Sequence, residues 1–284
     1  MNKLKLRSLL EQFFMEDIGE QDLTSNLIFS ESAEGNIVFI AKEKGVFCGE
    51  EIIIAGFNLL NPEIRTEIYL QDGGTFEYGQ KIATASGKIS DLLQGERVIL
   101  NLVQRMSGIA TLTRNAVEVL NSNATKVCDT RKTTPGLRMF EKYAVRCGGG
   151  FNHRFGLYDG VMIKDNHIAF AGSITKAVQS VRRNVGHMVK VEVEIETQEQ
   201  LIEAIESKVD VIMFDNRTPE EIKNWIKIVP DSIITEASGG ITLEQLALYG
   251  DTGVDYISLG FLTHSSKALD ISVKVNWDEK GAEE

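Results

Sequence analysis

The chain has few of the features that mark disulfide-rich, zinc-binding or membrane-spanning proteins. Its three cysteines, Cys48, Cys128 and Cys147, are too few and too scattered for a disulfide framework or a zinc site. We interpret them as small buried hydrophobic residues, with a catalytic thiol as the alternative. No uninterrupted apolar run approaches the roughly 20 residues that a membrane helix requires, so we expect no membrane partner.

Basic residues are also scarce. The 284 residues include 30 Lys and Arg against 41 Asp and Glu, which gives a formal net charge of −11. This balance argues against nucleic-acid partners, because non-specific binding needs a broad basic surface. Charges occur throughout the first apolar stretch, including Glu11 and Glu16, and indicate an amphipathic helix rather than a signal-peptide core. We therefore expect a cytoplasmic protein.

One stretch, residues 129–167, reverses the acidic balance. Between positions 131 and 154 it contains six basic side chains and one acidic one, Glu141, together with three consecutive glycines. His153 and His167 also lie in this stretch. Cations grouped around glycines and imidazoles are what a pocket for a small polyanion requires. The six cations are Arg131, Lys132, Arg138, Lys142, Arg146 and Arg154.

The first hundred residues have the pattern of a mixed, partly antiparallel sheet. Residues 37–42 read as a strand, residues 52–60 form an apolar run, and residues 64–90 alternate apolar and polar positions between glycine turns. A long helical pattern follows over residues 92–121, with an interruption expected at Ser107 and Gly108. We place the domain boundary at this interruption.

The rest of the chain alternates short apolar runs with amphipathic helical patterns, which indicates parallel βα units. Three helices have clear start signals: capping boxes at Thr197 and Thr242, and proline at the first helical position after Thr218. Six such units fit either a doubly wound sheet or a barrel short of the usual eight strands. The predicted strands are residues 126–128, 160–163, 189–193, 210–214, 232–235 and 254–259.

Charged residues or glycines follow every predicted strand. A βα-barrel binds its substrates at the C-terminal ends of its strands, whereas a doubly wound sheet concentrates its site at one switch point. We therefore favour the barrel. The strand-end residues are, in order, residues 129–132, Lys164, Glu194, Asp215, residues 238–240 and Gly260. A final alternating segment, residues 268–275, predicts a half-buried strand that returns to the first domain's sheet.

Two of these strand ends suggest how a phosphorylated ligand would be held. Ser238, Gly239 and Gly240 precede an expected helix start, where backbone N–H groups bind phosphate, although such a sequence alone is often only a turn. Glu194 and Asp215 end adjacent strands. They would anchor magnesium or ribose hydroxyls, or alternatively belong to a structural salt-bridge network with Lys132 and Lys164.

The cations complement these groups. The planar forks of Arg131 and Arg154 suit carboxylates, whereas Lys132 and Lys164 act as point charges toward phosphate. His153, beside Arg154, would donate to an anion or orient one. His167 and His264 remain undecided between structural and supporting roles. Arg97 lies on a helix outside the predicted barrel, and its default interpretation is a solvated side chain.

Taken together, the motifs resemble those of the quinolinate phosphoribosyltransferase family of NAD synthesis. The resemblance covers nearly the whole chain, and the combination is specific although single pieces such as SGG are not. The matching motifs are EDIGEQDLTS, GERVILNLVQRMSGIAT, DTRKTTPGLR, EKYAVRCGGGFNHRFGLYD, IKDNH, VEVE, FDN, EASGGIT, TGVDYISLG and LTHS.

The resemblance implies an α/β fold with two domains. An N-terminal α/β sandwich, residues 1–108, would be completed by a C-terminal strand, residues 268–284, and residues 109–267 would form an incomplete six-stranded parallel α/β-barrel. It also implies phosphoribosyl transfer from 5-phosphoribosyl 1-pyrophosphate (PRPP) to quinolinate with decarboxylation. The products would be nicotinate mononucleotide, pyrophosphate and CO2, and Mg²⁺ would accompany PRPP.

The resemblance also assigns residues. Lys132, Lys164, Glu194 and Asp215 would be the catalytic set, with magnesium held through the substrate near the two carboxylates. Quinolinate would bind Arg131, Lys132, His153 and Arg154, next to Thr130, while Lys132 and Lys164 would meet phosphates. The backbone of Ser238, Gly239, Gly240, Gly260, Phe261 and Leu262 would cradle the 5-phosphate.

In such a protein the subunits would form a homodimer, or a higher oligomer, in which the first domain of one subunit covers the barrel mouth of the other. Arg97 would then reach the partner's site. Arg138, Lys142 and Arg146 would be interface or structural residues. Two other functions stay open: a related phosphoribosyltransferase with a different base, and a non-catalytic sensor of a phosphosugar or nucleotide.

Overall fold

The computed structural model describes residues 1–275 and divides the chain into two compact units. Unit 1 comprises residues 1–112, residues 139–149 and the tail from Ser266; unit 2 comprises residues 113–138 and 150–265. The predicted boundary at position 108 is therefore four residues from this division, and residues 139–149 group with unit 1. The last nine residues of the predicted strand 268–284 lie outside the described residues.

The helices and strands alternate along most of the chain. The helices are α1 (Lys3–Ile18), α2 (Leu23–Ile28), α3 (Glu50–Leu60), α4 (Ile89–Leu120), α5 (Arg138–Cys147), α6 (Asp165–Ala171), α7 (Ile174–Asn184), α8 (Gln198–Glu206), α9 (Pro219–Trp225), α10 (Leu246–Gly250) and α11 (Phe261–His264). The strands are β1 (Glu34–Ala41), β2 (Gly45–Val46), β3 (Arg65–Ile68), β4 (Thr75–Phe76), β5 (Lys81–Lys88), β6 (Lys126–Cys128), β7 (Val161–Ile163), β8 (Val191–Ile195), β9 (Val211–Asp215), β10 (Ile234–Ser238), β11 (Tyr256–Ser258) and β12 (Ile271–Val275).

Unit 1 contains a four-stranded antiparallel sheet in the order β12-β1-β5-β3. Strand β12 pairs with β1 along its whole length, from Ala41 opposite Ile271 to Ile37 opposite Val275. Phe39 of β1 and Phe57 of α3 are fully buried and meet edge to face with their centroids 6.3 Å apart. Aromatic pairs in this geometry stabilise a core beyond their burial alone. The expected sheet with covering helices is confirmed.

Helix α4 is continuous through Ser107 and Gly108, so the predicted interruption there is wrong. The two residues serve close packing instead. The Ser107 hydroxyl accepts the N–H of Cys48 at 3.1 Å, and a Cβ on Gly108 would overlap the carbonyl oxygen of Lys267. A small polar residue followed by glycine looks like a helix break in sequence, although here it lets another segment approach the helix.

Unit 2 contains six parallel strands in the order β6-β11-β10-β9-β8-β7. The first and second strands of this unit, β6 and β7, lie at opposite edges, as expected for an incomplete barrel. Glu192 of β8 and Glu236 of β10 both approach His153, which follows β6 in the chain. Side chains from alternate strands therefore meet in one interior layer, the packing of a barrel rather than of a flat doubly wound sheet.

Several predicted boundaries in unit 2 shift. β8 and β9 contain Glu194 and Asp215 as strand residues, and β10 begins and ends later than predicted, at Ile234–Ser238. The capping box at Thr197 and the helix start with proline after Thr218 are confirmed. The expected helix start at Thr242 is wrong, because residues 243–245 form turns and α10 begins only at Leu246.

In residues 1–275, none of the helices has the length and apolar character needed to cross a membrane.

Candidate functional site

A cavity of about 900 Å³ lies at the C-terminal ends of the parallel strands in unit 2. Barrels bind their ligands at this end of the sheet. Of the predicted substrate-binding residues, all but Arg97 and Leu262 line it. The lining residues from the predicted set are Thr130, Arg131, Lys132, His153, Arg154, Lys164, Glu194, Asp215, Ser238, Gly239, Gly240, Gly260 and Phe261.

Lys164 and Glu194 form an ion pair inside the cavity. Lys164 directly follows β7, and Glu194 lies in β8, which pairs with β7. Burial raises the pKa of the Glu194 carboxyl, the Lys164 ammonium opposes that rise, and the nearby Asp215 and Glu192 charges add to it. Glu194 and Asp215 both line the cavity, and Glu194 is paired with the Lys164 ammonium.

Two arginines supply cations at the other strand ends. The Nε atom of Arg131 is buried and has no hydrogen-bond partner among the described residues. Nη1 of Arg154 donates to the carbonyl of Gly160 at 3.0 Å. Burial lowers the pKa of the Arg154 guanidinium, and the adjacent Arg131 charge lowers it further. Two desolvated guanidinium groups that repel each other would both be stabilised by an anionic ligand.

The glycine segment after β10, residues 239–240, forms a turn that lines the cavity. Gly239 and Gly240 have φ values of 93° and 62°, which favour glycine. A Cβ on Gly239 would also overlap the side chain and backbone of Asn216. Because α10 starts six residues after Gly240, the turn itself rather than a helix N-terminus offers the N–H donors.

Asp129 fixes the segment that carries His153. It is fully buried directly after β6, and its oxygens accept the Asn152 side chain at 2.6 Å and the His153 backbone N–H at 2.9 Å. The sequence placed Asp129 at a strand end without predicting this role. In the sequence, only the position of Asp129 between an apolar strand and a basic loop could have indicated this structural role.

Arg138 ties two loops of the site together. It donates to the Thr133 hydroxyl at 2.9 Å, the Phe155 carbonyl at 3.0 Å and the Arg131 carbonyl at 3.4 Å. A second tie comes from Thr263, whose hydroxyl donates to the Lys132 carbonyl at 2.8 Å. Residue spacing does not predict the contacts of Arg138 with Phe155 or of Thr263 with Lys132, because their acceptors are backbone carbonyls of other loops.

The remaining predicted residues occupy different environments. Arg97 is exposed on α4 in unit 1, and Leu262 is fully buried in α11. Nδ1 of His167 accepts the backbone N–H of Lys164 at 3.0 Å, whereas Nδ1 of His264 lies 2.6 Å from the Ser265 hydroxyl. Of the other cations, Lys142 is fully buried and Arg146 is exposed, both on α5.

The fold and the cavity define a class of protein: a two-unit α/β protein with a cavity lined by basic and acidic side chains at the C-terminal ends of a parallel, barrel-like sheet. The family model for the N-terminal domain of quinolinate phosphoribosyl transferase matches residues 22–107, and that for its C-terminal domain matches residues 109–274. The chain belongs to the quinolinate phosphoribosyltransferase family.

Similar proteins support this assignment along the whole chain. The probable nicotinate-nucleotide pyrophosphorylase (carboxylating) of Bacillus subtilis (strain 168) is 58% identical, covering 100% of this chain and 98% of that protein. A crystal structure of NadC from Streptococcus pyogenes matches with a TM-score of 0.93 at 39% identity. The match covers 96% of this chain and 97% of the Streptococcus pyogenes chain. The nicotinate-nucleotide pyrophosphorylase of Francisella tularensis has a TM-score of 0.92 at 36% identity, covering 97% and 98%.

Proposed function

We propose that this protein transfers the phosphoribosyl group of PRPP to quinolinate and decarboxylates the product to nicotinate mononucleotide. Family membership along the whole chain supports the reaction. The observation that carries it in the structure is one cavity lined by two chemically distinct sets of groups, which are called its two sides below. One side presents the guanidinium groups of Arg131 and Arg154, and the other the carboxylates of Glu194 and Asp215.

The first side suits a planar dicarboxylate. Nε of Arg131 is buried without a hydrogen-bond partner among the described residues, and Arg154, which also lines the cavity, donates to the Gly160 carbonyl through Nη1. Paired N–H donors of this kind bind carboxylates in bidentate fashion. Lys132, whose side chain passes over Gly260, adds a point charge between this side and the phosphate-binding turns.

The second side suits PRPP. The turn at Gly239 and Gly240, the loop at Gly260 and Lys164 all line the cavity. Backbone N–H groups of the two glycine segments would bind the 5-phosphate, and Lys164 would meet phosphate oxygens. Glu194 and Asp215 present hard carboxylate oxygens, the ligand type that Mg²⁺ prefers and that also accepts ribose hydroxyls. These residues therefore fit a magnesium ion brought in with the substrate.

The chemistry follows from this charge arrangement. The quinolinate nitrogen forms a bond to the anomeric carbon as the bond to the pyrophosphate oxygen breaks, and the sugar passes through a positively charged transition state. The carboxylates of Glu194 and Asp215 stabilise that positive charge, and Lys164 stabilises the leaving anion. Bound magnesium would supply further charge neutralisation for the pyrophosphate. The alkylated ring then accepts the electron pair of the adjacent C–C bond, CO2 leaves, and a proton replaces it.

A panel of acceptors tests the reaction. With PRPP and magnesium, the protein should turn over quinolinate but not nicotinate, because Arg131 and Arg154 lie where a second carboxylate would bind. Removing magnesium with a chelator should abolish turnover. Turnover of nicotinate would favour a related transferase with another base. Binding of quinolinate and PRPP in calorimetry without any product would instead favour a sensor.

We further propose a cytoplasmic homodimer with a site shared between subunits. Exposed apolar side chains in unit 2 support an interface there: Phe155, Leu157, Tyr158 and Phe170 are 44%, 75%, 84% and 94% exposed. Apolar groups of this size at the surface commonly mark contact regions. Arg97 is exposed in unit 1 and is the residue that the partner would contribute.

Subunit complementation tests the shared site. Arg97→Ala and Lys132→Ala chains should each be weakly active alone. Mixed subunits should regain about a quarter of wild-type activity, since about half of the random dimers are mixed and each has one intact site. Lys132→Ala mixed with Lys164→Ala is the control, because both residues belong to the same cavity and no site becomes intact. Equal activity of both mixtures after subunit exchange would contradict a shared site.

A further inference from the structure

Three polar side chains lie buried in the interior layer of unit 2. Nε2 of His153 lies 3.0 Å from Oε2 of Glu192 and 3.8 Å from Oε2 of Glu236. Glu192 and Glu236 are 6% and 4% exposed. Each carboxyl group has one buried oxygen, Oε1, without a hydrogen-bond partner among the described residues. Groups of this kind are costly to bury and call for a functional explanation.

The hydrogen bonds of His153 define its tautomer. Its Nδ1 accepts the backbone N–H of Arg154 at 2.8 Å, so Nδ1 carries no proton. The ring proton of a neutral imidazole must then be on Nε2, which faces the Glu192 carboxylate at hydrogen-bonding distance. The imidazole therefore links a buried carboxylate on β8 to the backbone of Arg154.

The same geometry argues against a metal ion in this cluster. One histidine and two carboxylates lie close enough to bind a cation. A metal at Nε2 of His153 would normally leave the proton on Nδ1, where it donates to an acceptor. Here Nδ1 faces the N–H donor of Arg154, so a metal-bound ring would have to be fully deprotonated.

Glu236 is the neutral member of the cluster. Burial and the charge of Glu192 together raise the pKa of its carboxyl to about 8, against the opposing effect of His153. At neutral pH Glu236 keeps its proton, and it lies too far from Nε2 for a hydrogen bond. The acceptor for His153 is consequently Glu192.

We infer that Glu192 is a positioning residue for the reaction: through His153 it fixes the backbone of Arg154 and aims that guanidinium at a substrate carboxylate. This inference rests on the proposed role of Arg154 as a carboxylate partner. Glu192 does not line the cavity, so it contacts neither the proposed quinolinate position nor the phosphate-binding turns. Its loss should therefore weaken quinolinate binding selectively.

Two measurements test the link. Imidazole ¹⁵N NMR, with the His153 signal assigned by replacement, should show the neutral Nε2–H tautomer in the wild type. Glu192→Ala should lose that signature and raise the KM for quinolinate roughly tenfold, the loss expected for one hydrogen bond to a charged group. Its KM for PRPP should change about twofold or less. Glu192→Gln keeps a carbonyl acceptor and should restore both the tautomer and the quinolinate KM. Glu206→Ala, an exposed carboxylate on α8, is the matched control.

The outcomes separate this inference from the proposed function. A wild-type His153 with its proton on Nδ1, or with both nitrogens protonated at neutral pH, overturns the link whether or not Glu192→Ala folds. Equal increases in the KM for quinolinate and for PRPP would also contradict it. Failure of the wild type to turn over quinolinate would instead refute the proposed function, while the NMR signature would still decide the link from Glu192 to His153.

Discussion

Replacing Glu236 with glutamine should remove part of the pH dependence of the protein's stability. The Glu236 carboxyl is fully enclosed in unit 2, and burial together with the Glu192 charge raises its pKa to about 8 from 4.5. Glutamine has almost the same shape and is neutral at every pH. The variant therefore isolates the ionisation of one buried group.

The direction of the effect follows from proton binding. Below about pH 4.5 the carboxyl is protonated in both the folded and the unfolded state. Between about pH 4.5 and 8 the unfolded chain loses this proton while the folded protein keeps it, so ionisation favours unfolding as the pH rises. Each pH unit in this window costs the wild type about 1.4 kcal/mol, which over the whole window amounts to roughly 5 kcal/mol.

Urea unfolding of both proteins at pH 5, 6, 7 and 8 measures this difference. The free energy of unfolding of the wild type, relative to Glu236→Gln, should fall steadily from pH 5 to pH 8. Titrating groups remote from Glu236 are shared by the two proteins and cancel in the comparison, whereas Glu192 and His153 interact with Glu236 and titrate together with it. Glu206→Gln, an exposed change, should show the wild-type slope. Parallel curves for the wild type and Glu236→Gln would refute the assignment of a neutral buried Glu236.

Three further changes test other parts of the structure. Arg138→Ala removes three hydrogen bonds to the site loops and should lower the free energy of unfolding by about 1–3 kcal/mol in urea titrations, with a raised KM for quinolinate. Gly108→Ala should cost about 1–3 kcal/mol in the same titration, because its Cβ would overlap the Lys267 carbonyl, whereas Gly186→Ala, which has open space, should cost less than about 1 kcal/mol. Glu194→Gln should lower kcat by about 10²-fold or more in steady-state assays with little loss of folding stability, since it removes charge stabilisation from the transition state.

Strand ends were the part of the site that the sequence predicted best. Parallel strands deliver the residues after them to one edge, so Lys164, Glu194 and Asp215 could be grouped without any knowledge of distances. The same argument placed Arg131 and Gly239 at that edge. The helix starts after Thr197 and Thr218 were also accessible, because their signals lie within four residues, whereas the same kind of signal at Thr242 does not start a helix.

Contacts between distant segments could not be predicted in this way. Arg138 binds carbonyl groups of two loops, and carbonyl groups carry no sequence signal. The predicted strand over residues 232–235 stops short of Glu236, yet this residue lies within β10 and its side chain is buried beside His153. Gly108 looked like a helix break, although the glycine is needed for packing. In each case tertiary structure overrides a local preference.

Product stoichiometry tests the central claim most directly. Purified protein with PRPP, magnesium and quinolinate labelled in the carboxylate next to the ring nitrogen should release labelled CO2, pyrophosphate and nicotinate mononucleotide in equal amounts. Glu194→Gln should slow the release of all three together, because one transition state precedes them. Pyrophosphate release without labelled CO2, or no product from quinolinate at any protein concentration, would contradict the claim that this cavity carries out the transfer and the decarboxylation.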